Sequence, residues 1–500
     1  MDTIRVDTPT GRLVGRLNGR IANFRGIPYA APPVGDRRLH PPVAVDGWTG
    51  ERDATEFGAA APQLASPLGP MRGAFEEDCL FLNVWTAADG STIDATATRP
   101  VMVWFHGGAF TTGSGAIPWY HGDRLVDRGA VVVTVNYRLG PLGFLHLEPA
   151  GGDRFAGAAN LGLLDQTAAL EWVRSNIASF GGDADNVTIF GESAGGMSVS
   201  TQLALPASAG LFGRAIAQSG AAREVHDAEG GERVASAVLR ALGVSSPGQL
   251  LDLPAQAFVD CQDGLETGSR AELALPFRPT VDGSTLPTQP EEAVARGVAA
   301  GIDLLIGTTS EEMRLFTALG RLNAEMGEER LLRVVERAAT SRGIPRDAAE
   351  IVSTYRRRLA EAPADDVWVA IATDLVFRVP AIALAESQSS HAATRMYLFT
   401  QRSTGFGGLL GAAHATEIPY VFDNLDRAGV EQMLGPITDE RRGLAAAMAD
   451  AWVGFATDGR PAGRLGEWPT FDPRRRATMR LDLEPEVVDA PWDDERAVWM

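Results

Sequence analysis

Gly191-Glu192-Ser193-Ala194-Gly195 is the stretch whose residue types and spacing can do chemistry. A β-branched and aromatic run, Val187-Thr188-Ile189-Phe190, stops at Gly191; a serine follows two residues on, and small residues then open a helical stretch. Strand, turn and helix in that order are what G-x-S-x-G needs to act as a nucleophile elbow, with the serine Oγ pushed out above the end of a sheet. The amide of Ala194 would sit at the helix start, where unpaired N–H groups and the helix dipole favour a developing negative charge. The chemistry this permits is acyl transfer to a serine.

A serine hydroxyl attacks a carbonyl only with a base beside it. The chain has no lysine, all 45 of its Lys and Arg residues being arginine, which excludes a Schiff base, a P-loop lysine and a Ser–Lys dyad. The base must be histidine. In the elbow architecture the carboxylate and the histidine follow the serine in that order. Of the seven histidines, only His391 and His414 lie well beyond Ser193, and His226 precedes any suitable acid. His391 stands in a polar connection before a strand and reads as surface loop. His414 stands in Gly411-Ala412-Ala413-His414 after that strand, where a glycine-bearing loop can carry an imidazole back over the serine. The acid should end a strand between serine and histidine. Leu304-Leu305-Ile306 leads into Gly307-Thr308-Thr309-Ser310-Glu311-Glu312, which offers two carboxylates. Gly107-Gly108-Ala109, after the run Val101-Met102-Val103-Trp104-Phe105, supplies closely approachable amides for an oxyanion.

The elements that must hold these residues are strands alternating with helices. Stretches at Val101–Phe105, Val131–Tyr137, Ala215–Ser219, Leu304–Gly307 and Met396–Phe399 read as buried strands, the last of them ending the main sheet. Between Leu163 and Phe180 the period changes to helical, with Leu170, Val173, Ile177 and Phe180 on one face. A second helix is expected from Ala194 towards Leu205. The fold class this implies is α/β, a mostly parallel central sheet covered by helices on both faces. Stretches near 222–272 and 318–375 are rich in Ala, Arg and Glu, carry no strand signal, and read as helical insertions capping the site. No internal repeat or linker divides the 500 residues, so one domain over 1–500 is expected.

Composition bounds the partners. A net charge of −19 argues against nucleic acid, which needs a basic face. No apolar stretch near twenty residues is evident, so no membrane span is expected, and the N-terminal residues carry no signal-like pattern. The two cysteines, Cys79 and Cys261, are no disulfide framework and fit a reducing cytoplasm. No metal spacing is present and no cofactor is implied.

The chain resembles the type-B carboxylesterase family of α/β-hydrolases. Phe180-Gly181-Gly182-Asp183 through Gly195 resembles its serine signature, and Glu77-Asp78-Cys79-Leu80-Phe81-Leu82-Asn83-Val84 its second signature. Asn136–Gly140, Asn160–Gln166, Gln218-Ser219-Gly220, Val281-Asp282-Gly283 and Ile418–Phe422 are similar to further family stretches. The resemblance implies the α/β-hydrolase fold, Ser193 as acyl nucleophile and His414 as general base and acid. It implies Glu312, rather than Glu311, as the carboxylate on the imidazole; Glu311 then reads as a charge on a first helical turn. It implies an oxyanion hole at Gly107, Gly108, Ala109 and Ala194, with Glu192 beside the nucleophile and Ser219 helping to seat the acid. Two departures stand out. The cysteine that pairs with the E-D-C-L cysteine in secreted relatives is replaced by Ala61, leaving Cys79 without its partner. Ser66-Pro67-Leu68-Gly69-Pro70 lacks the tryptophan with which cholinesterases bind choline, so choline esters are not expected as substrates.

The expected function is hydrolysis of small carboxylic esters through an acyl-enzyme, by a cytoplasmic serine esterase without cofactor. Carbamates, lactones or activated amides are alternatives for the same residues. A non-catalytic scaffold on the same fold is a remote third reading, opposed by the retention of Ser193, Glu312 and His414.

Overall fold

Alternate residues of a strand face opposite sides of a sheet, so a strand covered on both sides must be apolar throughout. The run Val101–Phe105 meets that condition: Val101, Val103 and Phe105 enter one hydrophobic core, Met102 and Trp104 the other. The computed structural model describes residues 2–64, 73–268, 275–318, 326–461 and 463–500.

The strands are β1 (Asp2–Thr8), β2 (Gly11–Asn18), β3 (Ile21–Pro28), β4 (Glu51–Asp53), β5 (Phe81–Ala87), β6 (Arg99–Phe105) and β7 (Val131–Val135). They continue as β8 (Gly182–Glu192), β9 (Arg214–Gln218), β10 (Asp303–Thr309), β11 (Thr394–Phe399), β12 (Ala477–Leu481) and β13 (Glu486–Asp489). All belong to one sheet in the order β1-β2-β3-β5-β7-β6-β8-β9-β10-β11-β12-β13, with β4 on β2. From β7 to β12 every pairing is parallel; the flanks are antiparallel except for β4, which pairs in parallel with β2.

The longer helices are α1 (Leu161–Asn176), α2 (Ala194–Gln202), α3 (Ala228–Ala241), α4 (Ala255–Gly268), α5 (Glu328–Ser341), α6 (Ala348–Arg356), α7 (Ala364–Thr373), α8 (Val379–Gln388) and α9 (Asp439–Asp458). Buried residues of α1 to α8 share one core with one face of the sheet, and α9 covers the other face. The expected helical face Leu170, Val173, Ile177 and Phe180 is fully buried. The expected insertions correspond to α3 and α4 and to α5, α6 and α7; residues 269–272 and 319–325 of those stretches lie outside the described residues.

Two expectations are corrected. Met396–Phe399 is not the end of the sheet, because β12 pairs in parallel with β11 and β13 follows it. The pattern hid β12 because it is short and carries Arg480, which pairs with Glu486 on β13; near a sheet edge a charged residue costs little. Second, Ala364–Gln388 is one continuous helical run, α7 and α8 joined by a π-turn at Asp374–Arg378, and by length and composition alone it could cross a membrane. It is a core element here, 83% of its most apolar window being buried inside the protein. The two charges that break the apolar run neutralise each other: Arg378 Nε and Nη2 donate to Asp374 at 2.5 and 2.6 Å.

The stretches that carry the family resemblance meet at buried junctions. Arg138 makes a bidentate pair with Asp165 on α1, at 2.8 and 2.6 Å. Asn160 Nδ2 donates to Asp282 at 3.0 Å, and Arg38 grips Glu77 with two bonds of 2.6 Å. Cys79, buried beside the last pair, is a free thiol, as is Cys261.

Candidate active site

β8 runs into α2 through Ser193, whose φ of 59° and ψ of −126° are strained for a residue with a side chain. The Ser193 N–H donates to Gln218 O on β9 at 2.9 Å, which holds the turn. The elbow is tight because a Cβ on Gly195 would collide with the carbonyl of Phe105 at the end of β6. Ser193 is half-buried, and its Oγ makes no hydrogen bond among the described residues.

The segment after β6 presses on the elbow. A Cβ on Gly107 would stand 2.7 Å from Glu192 O and 3.0 Å from Ser193 Cβ, so only glycine permits this approach. Gly108, Ala109 and Phe110 then take φ of 119°, 57° and 60°. The turn is fixed by the Thr111 and Thr112 N–H groups, which donate to Gly108 O at 3.0 and 2.9 Å. The N–H groups of Gly108, Ala109 and Ala194 have no acceptor among the described residues. Three free amides around a half-buried serine are the elements of an oxyanion hole.

His414, on the segment after β11, and Glu312, just past β10, are both buried. The imidazole Nδ1–H donates to Glu312 Oε2 at 2.7 Å, and the Thr309 N–H donates to the other carboxylate oxygen at 2.8 Å. The rings of Phe316 and Phe377 lie 5.3 and 4.9 Å from the imidazole. The free edge of the ring, Nε2, is 3.1 Å from Glu192 Oε1, so His414 reaches the residue next to Ser193. The other adjacent carboxylate, Glu311, bonds elsewhere, to Arg314, Arg402 and the Ala412 amide.

Electrostatics here is set by three buried carboxylates around one imidazole. Burial raises Glu192 to about 8 against the pull of His414. Burial, with Glu312 adding to it, raises Glu417 to about 7. Burial alone would lower His414, but Glu192, Glu312 and Glu417 outweigh it and raise the imidazole to about 9. Glu417, three residues after His414, was not singled out by sequence reasoning. Its Oε1 accepts from Gln218 Nε2 at 3.2 Å, and Gln218 in turn accepts from Trp452 Nε1 at 3.1 Å.

The remaining candidates fall elsewhere. His391 precedes β11, at the opposite end of the parallel strands from Ser193, with Nε2 3.0 Å from Ala295 O. His226 Nε2 lies 3.1 Å from Pro276 O, and burial lowers that ring to about 4. Ser219, at φ 47°, donates its N–H to Gly307 O at 2.8 Å, but its buried Oγ has no partner. The Thr309 amide, not the Ser219 hydroxyl, bonds the acid. The stretch Ser66–Pro70 lies outside the described residues. Among the described residues no three His, Cys, Asp or Glu side chains are grouped to hold a metal ion.

Residues 2–499 match the carboxylesterase family. The chain is 40% identical to the para-nitrobenzyl esterase of Bacillus subtilis, with 98% of this chain and 97% of that protein covered. It is 34% identical to the phenmedipham hydrolase of Pseudarthrobacter oxydans, covering 93% and 92%. Among solved structures, the Geobacillus stearothermophilus carboxylesterase EST55 at pH 6.2 superposes with a TM-score of 0.88 at 38% identity, covering 99% of this chain and 100% of that one.

Proposed function

The chain belongs to the carboxylesterase family and is a carboxylic ester hydrolase acting on small-molecule esters; we propose that Ser193 is its nucleophile, His414 its general base and acid, and Glu312 the carboxylate that orients the imidazole. The observation that carries this reading is the 2.7 Å bond from His414 Nδ1 to a Glu312 carboxylate that is itself fixed by the Thr309 amide. That bond puts the proton on Nδ1 and leaves Nε2 as the basic nitrogen.

In the proposed cycle Ser193 Oγ bonds to the ester carbonyl carbon while its proton passes to His414 Nε2. The carbonyl oxygen becomes an oxyanion, received by the amides of Gly108, Ala109 and Ala194. His414 then gives the proton to the alcohol oxygen as the C–O bond breaks, leaving an acyl-serine. Water attacks that ester, its proton goes to Nε2 and on to Ser193 Oγ, and the carboxylic acid departs. Glu312 holds the Nδ1–H bond throughout and stabilises the transient imidazolium.

The surrounding expectations are proposals of the same kind. One α/β-hydrolase domain over 1–500 is supported by the single sheet. A cytoplasmic setting is supported by two free thiols. A small-molecule rather than nucleic-acid partner is supported by the charge of −19. The test is hydrolysis of p-nitrophenyl esters of increasing acyl length by the native enzyme and by Ser193→Ala. Full activity of the alanine variant removes the proposal.

A further inference from the structure

The geometry points to Glu311 as a positioning residue that fastens the His414 segment onto the end of β10, dividing the work of the Glu311–Glu312 pair: one carboxylate holds the backbone, the other the imidazole. This inference rests on His414 being the base.

Glu311 meets Ala412, two residues before His414, in both directions. Its N–H donates to Ala412 O at 2.9 Å, and its Oε2 accepts the Ala412 N–H at 3.0 Å. The carboxylate is itself fixed from two sides, by Arg314 Nε on Oε1 and Arg402 Nη1 on Oε2, each at 2.5 Å. Arg314 also pairs with Asp366 on α7, at 3.0 Å, so the anchor reaches the helical layer. Its side chain is only 16% exposed, and the Ala412 amide and two guanidinium groups hold it below the ordinary carboxylate range despite burial. The contact is close enough that a Cβ on Gly411 would strike Oε2.

What precedes this point is a turn tied at its base, where the Ser403 N–H donates to Gly411 O at 2.8 Å, and exposed at its tip. Between Arg402 and Ala412 the chain turns through positive φ at Phe406, Gly407, Gly408 and Gly411, and Phe406 and Leu409 are 53% and 66% exposed. A base carried on such a segment needs a fixed point close by, and Glu311 provides it within two residues. Glu312 does not provide it alone: its backbone contact, from the His414 N–H to its carbonyl, is 3.3 Å long. Misplacing a catalytic group by about 1 Å costs on the order of 10²-fold in rate.

The experiment compares Glu311→Ala, Glu311→Gln and His414→Ala on p-nitrophenyl butyrate, with rates expressed per folded molecule by near-ultraviolet circular dichroism. Glu311→Ala should lower kcat by about 10²-fold with KM within about threefold. Glu311→Gln keeps an oxygen for the Ala412 N–H and should recover at least tenfold of that loss. If the alanine variant does not fold, Glu311→Asp replaces it, since the shorter side chain cannot span to Ala412 and should lose as much. A kcat within twofold of wild type in Glu311→Ala or Glu311→Asp, or a glutamine variant as impaired as alanine, overturns the inference. An active His414→Ala overturns instead the reading of the base on which it rests.

Discussion

Glu192 Oε1 lies 3.1 Å from Nε2 of His414, the nitrogen opposite the one bonded to Glu312. The imidazole is therefore bracketed by two carboxylates, one on each nitrogen. Against burial, the Glu192 charge and the hydrogen bond and charge of Glu312 raise it to about 9.

The first prediction concerns pH. His414 must be neutral to act as a base, so kcat/KM should climb with pH through the neutral range towards about 9. The limb belongs to the coupled cluster rather than to one residue. Stability moves the other way. Glu192, Glu417 and His414 all have folded values above their ordinary ones, so the folded state binds more protons, and their contribution declines as pH rises above the ordinary carboxylate value of 4.5 and is fully lost once pH passes about 9. Glu192→Gln removes a carboxylate charge from Nε2, and its activity limb should shift to lower pH. A limb that stays in place would show that Glu192 does not set it.

The second prediction separates the histidines. His414→Ala should be about as damaging as Ser193→Ala, which at other triads costs roughly 10⁶-fold, because the two act as one unit. His391→Ala, at the far end of the strands, should be nearly silent. Steady-state kinetics on one p-nitrophenyl ester decides it, and the reverse ranking would remove His414 from the site.

A third prediction follows from the acid. Glu312→Gln keeps the shape but can present an amide donor to Nδ1, disturbing the tautomer, and kcat should fall by about 10³–10⁴-fold. A variant within tenfold of wild type would mean that the 2.7 Å bond is not used in catalysis.

The fourth concerns the thiols. Burial pushes Cys79 far above the usual thiol range and Cys261 up to about 11, so both should resist Ellman's reagent in the native enzyme. Two thiols should titrate after denaturation, and reductant should leave Tm unchanged. One missing thiol pair would contradict the free state of both.

The sequence made the elbow legible because every part of it is local: an apolar strand, two glycines where backbones touch, and a helix start. The parallel centre of the sheet was legible for the same reason, each strand being apolar on both faces. β12 was not, since its place beside the edge strand β13 tolerates Arg480 and erases the pattern. Nor was Glu417, which matters only through its packing against Gln218 on β9. Glu311 shows the limit most clearly. As a residue following a strand it reads as a surface charge on a first turn, yet the fold buries it between two arginines and the Ala412 amide.

The contact between Glu312 and His414 joins residues 102 apart, and Ser193 comes from yet another strand. Beyond His414 lie α9 and β12, which cover one face of the sheet and extend it beside β11. Ser193, Glu312 and His414 therefore come together only once long stretches of intervening chain have folded back on one another. Such non-local assembly is slow, and recovered activity after denaturation should trail recovered helix content.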